Sequence, residues 1–346
     1  MILSNNKISV RQLQILLILD ICGAGLIDVP KIAANYGSGY AWVCVAVSTV
    51  AAAICAYILT VAANLCGNAS FYEYLRKAFS TPFAIVCVVP LVIKMILSAS
   101  LILNKFCGGI NALHKIPIYL TTLFMLLICA YAARKNAETR GRLGETLFVA
   151  AIVPLLVAVL YALLNSGTLA PTPVPPPQDV LSGGLSELPS FYGIEFLLFC
   201  TPFVNGKKLG KPCVGAVCAV GVLFCVITYV TVCKLGYANA ARLDFPVIRM
   251  ANTLPTLFCG QDTAMLYFWT VTGFAAISGN LFFSNAALRG IAKRGEYVLG
   301  LCVLVFLCSR LPYNLINALA YGLNVWIYVL CLILIIFSRK LGENEI

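Results

Sequence analysis

Ten apolar stretches run through this chain, joined by links too short to fold on their own, and that pattern calls for a membrane bundle. The stretches cover residues 12–34, 40–63, 83–104, 116–133, 146–164, 187–204, 213–233, 263–288, 297–313 and 316–337. Most approach or exceed the ~20 residues that a helix needs to cross hydrocarbon. Lipid offers no partner for a bare peptide group, so each crossing must satisfy its own backbone, which selects helices. The ninth stretch has only a short apolar core, so Arg310 at its end is expected to reach outward along its aliphatic stem. The chain is 61% hydrophobic and 11% charged, whereas a soluble protein carries about 25% charged residues.

Charge then sets the orientation. With the first residues in the cytoplasm, sixteen of the 24 basic residues fall at cytoplasmic ends and loops, among them Arg76, Lys77, Arg134, Lys135, Arg140, Arg142, Lys207, Lys208, Arg339 and Lys340. Seven fall on the other side, and Lys94 lies inside a stretch. Basic residues gather on the cytoplasmic side of membrane proteins, so an even number of crossings with both termini inside is the expected topology. The net charge of +11 sits in short clusters between crossings. Such clusters serve topology and lipid headgroups, not a nucleic acid.

Sixteen Cys lie mostly within apolar runs, without a CxxC pair, and the lone His114 has no partner. A metal site needs clustered ligands at short spacing, so neither metal nor cofactor is expected and the thiols read as small buried hydrophobes. Cys107, Cys233 and Cys259 lie near the outer face, where a disulfide is open to them but nothing in the pattern supports one. Enzyme signatures such as a Gly-rich phosphate loop, GxSxG or HExxH are missing, and the chain reads as a non-enzyme. The first stretch lacks a small-residue cleavage site and reads as a crossing, not a leader.

Two crossings carry interruptions. The first contains Cys22-Gly23-Ala24-Gly25, with Pro30 beyond; the sixth contains Pro189-Ser190-Phe191-Tyr192-Gly193-Ile194-Glu195. Glycine weakens a helix interior by roughly 1 kcal/mol and proline by about 3. Broken backbone inside a membrane is tolerated only against protein or a water-filled cavity. As crossings one and six, these hold equivalent places in two five-helix repeats, and an odd number of crossings per repeat inverts the second. Paired interruptions of this kind mark a transporter-type ligand site. Broken ends offer free N–H groups to a carboxylate and free carbonyls to an ammonium, which suits an amino acid. The competing reading is that Gly23 and Gly25 only let helices pack closely.

Ionisable residues add to the pattern. Asp20 and Asp28 flank the first break, Lys94 sits mid-way along the third stretch with Ser98 one turn beyond, and Glu195 follows the second break. Buried charge must find a partner or water. Lys94 and Glu195 are therefore candidates for a polar site or for a structural bridge, and Asp20 and Asp28 for ion coupling. The outer segment of about 166–186 is Pro-rich and favours extended polyproline II. The segment 236–260 is expected to lay a short helix on the outer surface.

Several local patterns occur together. Lys7-Ile-Ser-Val-Arg-Gln12 precedes the first crossing, Gly23-Ala-Gly-Leu-Ile-Asp-Val-Pro30 forms its break, and Tyr40-Ala-Trp42 opens the second. Glu138, Arg142 and Glu145 share a helical face before the fifth. Gly193-Ile-Glu195 with Pro202 and Lys207-Lys208 marks the sixth, and Phe245-Pro-Val-Ile-Arg249 with Asp262 precedes the eighth. In order and spacing the chain resembles the membrane-embedded B subunit of bacterial spore germinant receptors, the GerAB-type proteins of the amino acid–polyamine–organocation transporter superfamily. The resemblance implies one all-α membrane domain over 1–346, LeuT-like: repeat one about 10–165, the Pro-rich outer loop, and repeat two about 187–338. It implies a receptor in the spore inner membrane that works with A- and C-type subunits and binds a small nutrient. Gly23, Ala24 and Gly25 would supply backbone groups. Phe191, Tyr192 and Gly193 would supply the facing break, and Lys94, Ser98 and Glu195 the polar contacts. An amino-acid permease of the same fold, proton-coupled through Asp20, Asp28 or Glu195, is the alternative.

Overall fold

Ser9 accepts a hydrogen bond from the Gln12 N–H at 3.2 Å, and the Gln12 side chain accepts one from the Ser9 N–H at 2.9 Å. This reciprocal cap satisfies two orphan donors and starts helix α1 (Val10–Gly25) where the apolar run begins. A computed structural model describes residues 6–167, 172–205, 209–253, 261–292 and 295–343. Helix α1 stops at Gly25, and Leu26–Asp28 form a turn before α2 (Val29–Gly37). Pro30 falls in the first turn of α2, where its missing N–H leaves no helix bond unmade. After a 3₁₀ turn at Ser38–Tyr40 the chain re-enters the bundle as α3 (Ala41–Leu65).

A second reciprocal cap, Ser70 with Glu73, starts the short α4 (Phe71–Ala78). The long α5 (Thr81–His114) follows, with Ser80 as its cap and a left-handed Lys115 closing it. Next come α6 (Ile118–Ala133) and α7 (Ala137–Leu164). The Pro-rich segment does not stay a loop throughout. Pro176 is extended at φ −64°, ψ 149°, as polyproline II requires, and Pro177 then opens helix α8 (Pro177–Ser186). Proline at the first helical position with Asp179 in the first turn makes a good helix start, so helical structure begins ten residues earlier than the apolar run at 187–204.

Beyond α8 the chain runs in 3₁₀ turns, Leu188–Phe191, Ile194–Phe199 and Thr201–Phe203, and never resumes an α-helix before strand β2 (Val204–Asn205). Strand β2 pairs in parallel with β1 (Ile8–Ser9), tying the end of the 3₁₀ segment to the start of α1. Lys7 Nζ donates to Pro202 O at 2.8 Å beside this pair. The remaining helices are α9 (Gly210–Leu235), α10 (Tyr237–Arg242), α11 (Pro246–Ala251), α12 (Gln261–Ala292), α13 (Val298–Cys308) and α14 (Tyr313–Glu343). The outer segment after α9 thus carries two short helices, α10 and α11, where one was expected.

Among the described residues six helical stretches are long and apolar enough to cross a membrane, one of them α2 and α3 together. Helices α6 and α13 are apolar but shorter. Helix α1 packs on α12, α9 and α7; α5 packs on α12 and α14; α3 packs along α9. These contacts put α1, α5 and α12 at the centre. Outward, α6 exposes Leu123, Phe124, Leu127 and Ile128, and α14 exposes Leu332, Ile333, Ile336 and Phe337. Apolar faces of this extent belong against lipid, and the protein is a membrane protein.

Candidate functional site

The second break turns on Gly193. Tyr192 is extended and Gly193 sits at φ +111°, left-handed backbone that a residue with a Cβ adopts only under strain. This turn frees the Gly193 N–H from any helix ladder. It donates instead to Glu195 Oε2 at 2.8 Å. The other carboxylate oxygen, Glu195 Oε1, accepts from Lys94 Nζ of α5 at 2.5 Å. The Lys94 ammonium lies 3.9 Å from the centre of the Tyr192 ring. Lys94 is fully buried and Glu195 nearly so. Removing two charges from water costs more than a simple ion pair returns, unless hydrogen bonds and ring faces satisfy what remains. Here the broken backbone supplies one such bond and Tyr192 the ring.

The first break is tighter. A Cβ placed on Gly23 would come within 2.5 Å of Thr272 O on α12, and one on Gly25 would overlap Ser190 O in the second break. Both glycines thus let backbone meet backbone, the close-packing reading. Ala24 packs beside Tyr192, Leu97 and Leu101. The structure brings Gly25 to the second break through Ser190, and Lys94, Tyr192, Gly193 and Glu195 to each other. Ser98 is buried one turn along α5, with an Oγ that makes no hydrogen bond.

Asp20 is also drawn in. A Cβ on Gly193 would stand 3.2 Å from the Asp20 Cβ, and Asp20 is buried with Oδ1 unpartnered. Facing it is Arg140, which charge counting alone places among the cytoplasmic basic residues. Arg140 of α7 is buried, donating to Ser278 Oγ at 3.2 Å and Ala275 O at 3.0 Å on α12. Gly279 is what lets Arg140 and Asp20 approach together, since a Cβ there would meet both side chains. The signal for Arg140 was its neighbours. Gly141 and Gly144 press α7 onto Gln12 and Leu16 of α1, which turns this face of α7 inward. Arg142, on the other face, pairs with Glu138 at 2.6 Å, while among the described residues Glu145 joins no ion pair.

Asp28 lies apart, paired with Lys105 of α5 at 2.6 Å. Lys31 reaches Asp244 at 2.6 Å. These two bridges hold the start of α2 to α5 and to the outer segment. Cys107 and Cys233 are free thiols, so no bridge joins them; Cys259 lies outside the described residues, as do Lys207 and Lys208. A cavity of about 100 Å³ opens beside the second break, between α3 and α14. Phe191 and Tyr192 line it, and Gly23, Ala24 and Gly25 do not.

A helical membrane bundle with a glycine-hinged break, lodging a buried cation–carboxylate pair, has the organisation of transporter-type proteins. The chain belongs to the spore germination protein family, whose match covers residues 7–318. It is 24% identical over 342 residues to spore germination protein KB of Bacillus subtilis (strain 168), a match covering 92% of this chain and 89% of that protein. Among solved structures it resembles a manganese transporter of Eremococcus coleocola, a mutant form, with a TM-score of 0.52 and 12% identity. That likeness covers 92% of this chain and 76% of the transporter, and shows a shared fold.

Proposed function

We propose that this chain is the membrane subunit of a spore germinant receptor that binds a small nutrient, an amino acid, at the helix breaks and signals germination. One observation carries the reading: the buried Lys94–Glu195 pair held against the Gly193 N–H. Stranding one member of a buried pair costs about 3–5 kcal/mol. A zwitterion avoids that cost, because its carboxylate can take Lys94 while its ammonium takes Glu195, so the pair opens without leaving either charge alone. Gly23, Ala24 and Gly25 would offer backbone groups from the first break, Phe191, Tyr192 and Gly193 would form the facing wall, and Ser98 would add a hydroxyl. Opening the pair separates α5 from the second break. The ligand biases the receptor only by the difference in its affinity for the two states.

In this reading the chain crosses the spore inner membrane ten times, as two inverted five-helix repeats with both termini in the cytoplasm, and works with A- and C-type subunits. The shared fold with a transporter and the buried Asp20, whose Oδ1 has no partner among the described residues, favour one second reading, an amino-acid permease of the same fold with Asp20, Asp28 or Glu195 in coupling. Proteoliposomes offered radiolabelled amino acids distinguish the two. Saturable binding without accumulation is the receptor outcome, and accumulation is the permease outcome. Absence of both would reject the reading, and binding unaffected by Lys94→Met would reject the site.

A further inference from the structure

Helix α6 ends at a cleft of about 240 Å³, at the same end of the bundle as the β1–β2 pair. Three cations line it, Arg134 and Lys135 from the α6–α7 turn and Arg289 from the last turn of α12, and no Asp or Glu does. Among the described residues one carboxylate pairs with them: Glu296, 3.7 Å from Arg134 and 3.1 Å from Arg289. Lys135 joins no ion pair among those residues, and its ammonium stands 4.4 Å from the centre of the Tyr131 ring. Glu138, in the first turn of α7, is turned to Arg142. The cleft thus holds an excess of two positive charges. Two of its amides add donors. Asn6 Oδ1 accepts from the Ala137 N–H at 2.9 Å, and Asn285 Oδ1 accepts from the Tyr297 N–H at 3.0 Å. With both oxygens engaged, the groups left to meet a ligand are chiefly N–H donors. Guanidinium, ammonium and amide donors around one concavity, beside the N-terminus of the long helix α7, suit an anion rich in acceptor oxygens.

We infer that this cleft is a specific site for the phosphate headgroup of an anionic phospholipid, in the leaflet at this end of the bundle, beyond the general pull of basic loops on headgroups. Arg134 and Arg289 present guanidinium forks to phosphate oxygens, Lys135 adds a point charge, and Asn6 and Asn285 donate from the sides. The volume exceeds the roughly 150 Å³ that takes benzene, which leaves room for a phosphate with its glycerol. The approach to the cleft favours a lipid over a soluble phosphate. Leu127, Ile128 and Tyr131 are exposed on α6, and their three- and four-residue spacing aligns them with Arg134 on one helix face. An acyl chain laid along that stripe brings its phosphate to Arg134. Two rings also line the cleft: Phe203, which ends the last 3₁₀ turn of the second break, and Phe282 of α12, with ring centres 5.5 Å apart. A bound headgroup therefore braces the end of the second break against α6, α7 and α12, through residues other than the Lys94–Glu195 pair.

Thermal unfolding of the full chain in detergent micelles tests this, with phosphatidylglycerol, phosphatidylcholine or glycerol 3-phosphate added in rising amounts. A ligand of the folded chain raises the melting temperature with its concentration. Phosphatidylglycerol alone is expected to do so. Arg134→Gln/Lys135→Gln should raise its half-saturating concentration by about tenfold or more, because two basic contacts are lost. The Arg134–Glu296 pair is exposed and contributes little, so in phosphatidylcholine this variant should melt near the parent chain. Ala286→Glu puts a carboxylate into the cleft wall and leaves those cations in place. It should weaken phosphatidylglycerol in the same way, and it carries the test if the first variant does not fold. Arg76→Gln/Lys77→Gln removes the same charge from the exposed face of α4 and should change nothing. An equal loss in that α4 variant means diffuse charge attraction and overturns the site. Equal stabilisation by phosphatidylcholine, or no response to phosphatidylglycerol, overturns it too. A response to glycerol 3-phosphate as strong as that to phosphatidylglycerol overturns the lipid and marks a soluble phosphate instead.

Discussion

Lys94 and Gly193 show how few atoms hold the candidate site together. Lys94→Met leaves Glu195 buried with only the Gly193 N–H, and a loss of about 3–5 kcal/mol is expected from an uncompensated buried charge. The double variant Lys94→Met/Glu195→Leu removes both charges and should recover most of that stability in thermal unfolding, while ligand response stays absent. If the double variant responds to ligand, the pair is scaffolding alone. Gly193→Ala places a Cβ at φ +111° and should cost about 1–3 kcal/mol of strain. Gly25→Leu would force the first break off Ser190. Membrane insertion should persist and ligand response should vanish; unchanged affinity in a binding assay would remove Gly25 from the site.

At the scale of elements, the two breaks are unequal. The first is a three-residue turn between α1 and α2, and the second replaces a whole half-helix with 3₁₀ turns from Leu188 to Phe203. Mobility should therefore concentrate in the second, and amide exchange should be faster over 188–203 than over α1. Uniform protection across both would count against a hinge there. The β1–β2 pair and the Lys7 contact clamp that segment at its inner end. Ser9→Ala removes the α1 cap beside the clamp and should lower stability by about 1 kcal/mol. The Lys31–Asp244 bridge is a useful contrast. Asp244 is 80% exposed, and surface pairs contribute about 0–1 kcal/mol. Lys31→Met should leave the melting temperature nearly unchanged.

Across the whole molecule, the sixteen-to-seven split of basic residues predicts the orientation. A fluorescent protein fused after α14 should fluoresce in the cytoplasm, and alkaline phosphatase fused near residue 167 should be active outside. An inactive phosphatase there would mean that the crossings number differently before the Pro-rich segment. Charge counting has one blind spot at this scale. Arg140, tallied with the cytoplasmic residues, is inside the protein, held by α12 carbonyl and hydroxyl groups. Topology rules weigh sequence distance from an apolar run and do not see which face of a helix turns inward.

The apolar runs and the two Gly- and Pro-marked interruptions could be read in the chain itself, because each is set by a residue and its nearest neighbours. The membrane class, the breaks after Gly25 and at Gly193, and the placement of Lys94 and Glu195 within the bundle followed from that local chemistry. Tertiary structure decided the rest. Lys94 and Glu195 are 101 residues apart and were equally compatible with different partners until α5 and the second break were laid together. Arg140 faces Asp20 only because Gly279 leaves room for both side chains. Helix α8 grew out of a proline run because packing against α2 and α3 rewards a helix there, and the cavity between α3 and α14 belongs to no single segment. Contacts between distant residues depend on which helix faces oppose each other, a quantity that hydrophobic periodicity constrains weakly when helices are apolar all round.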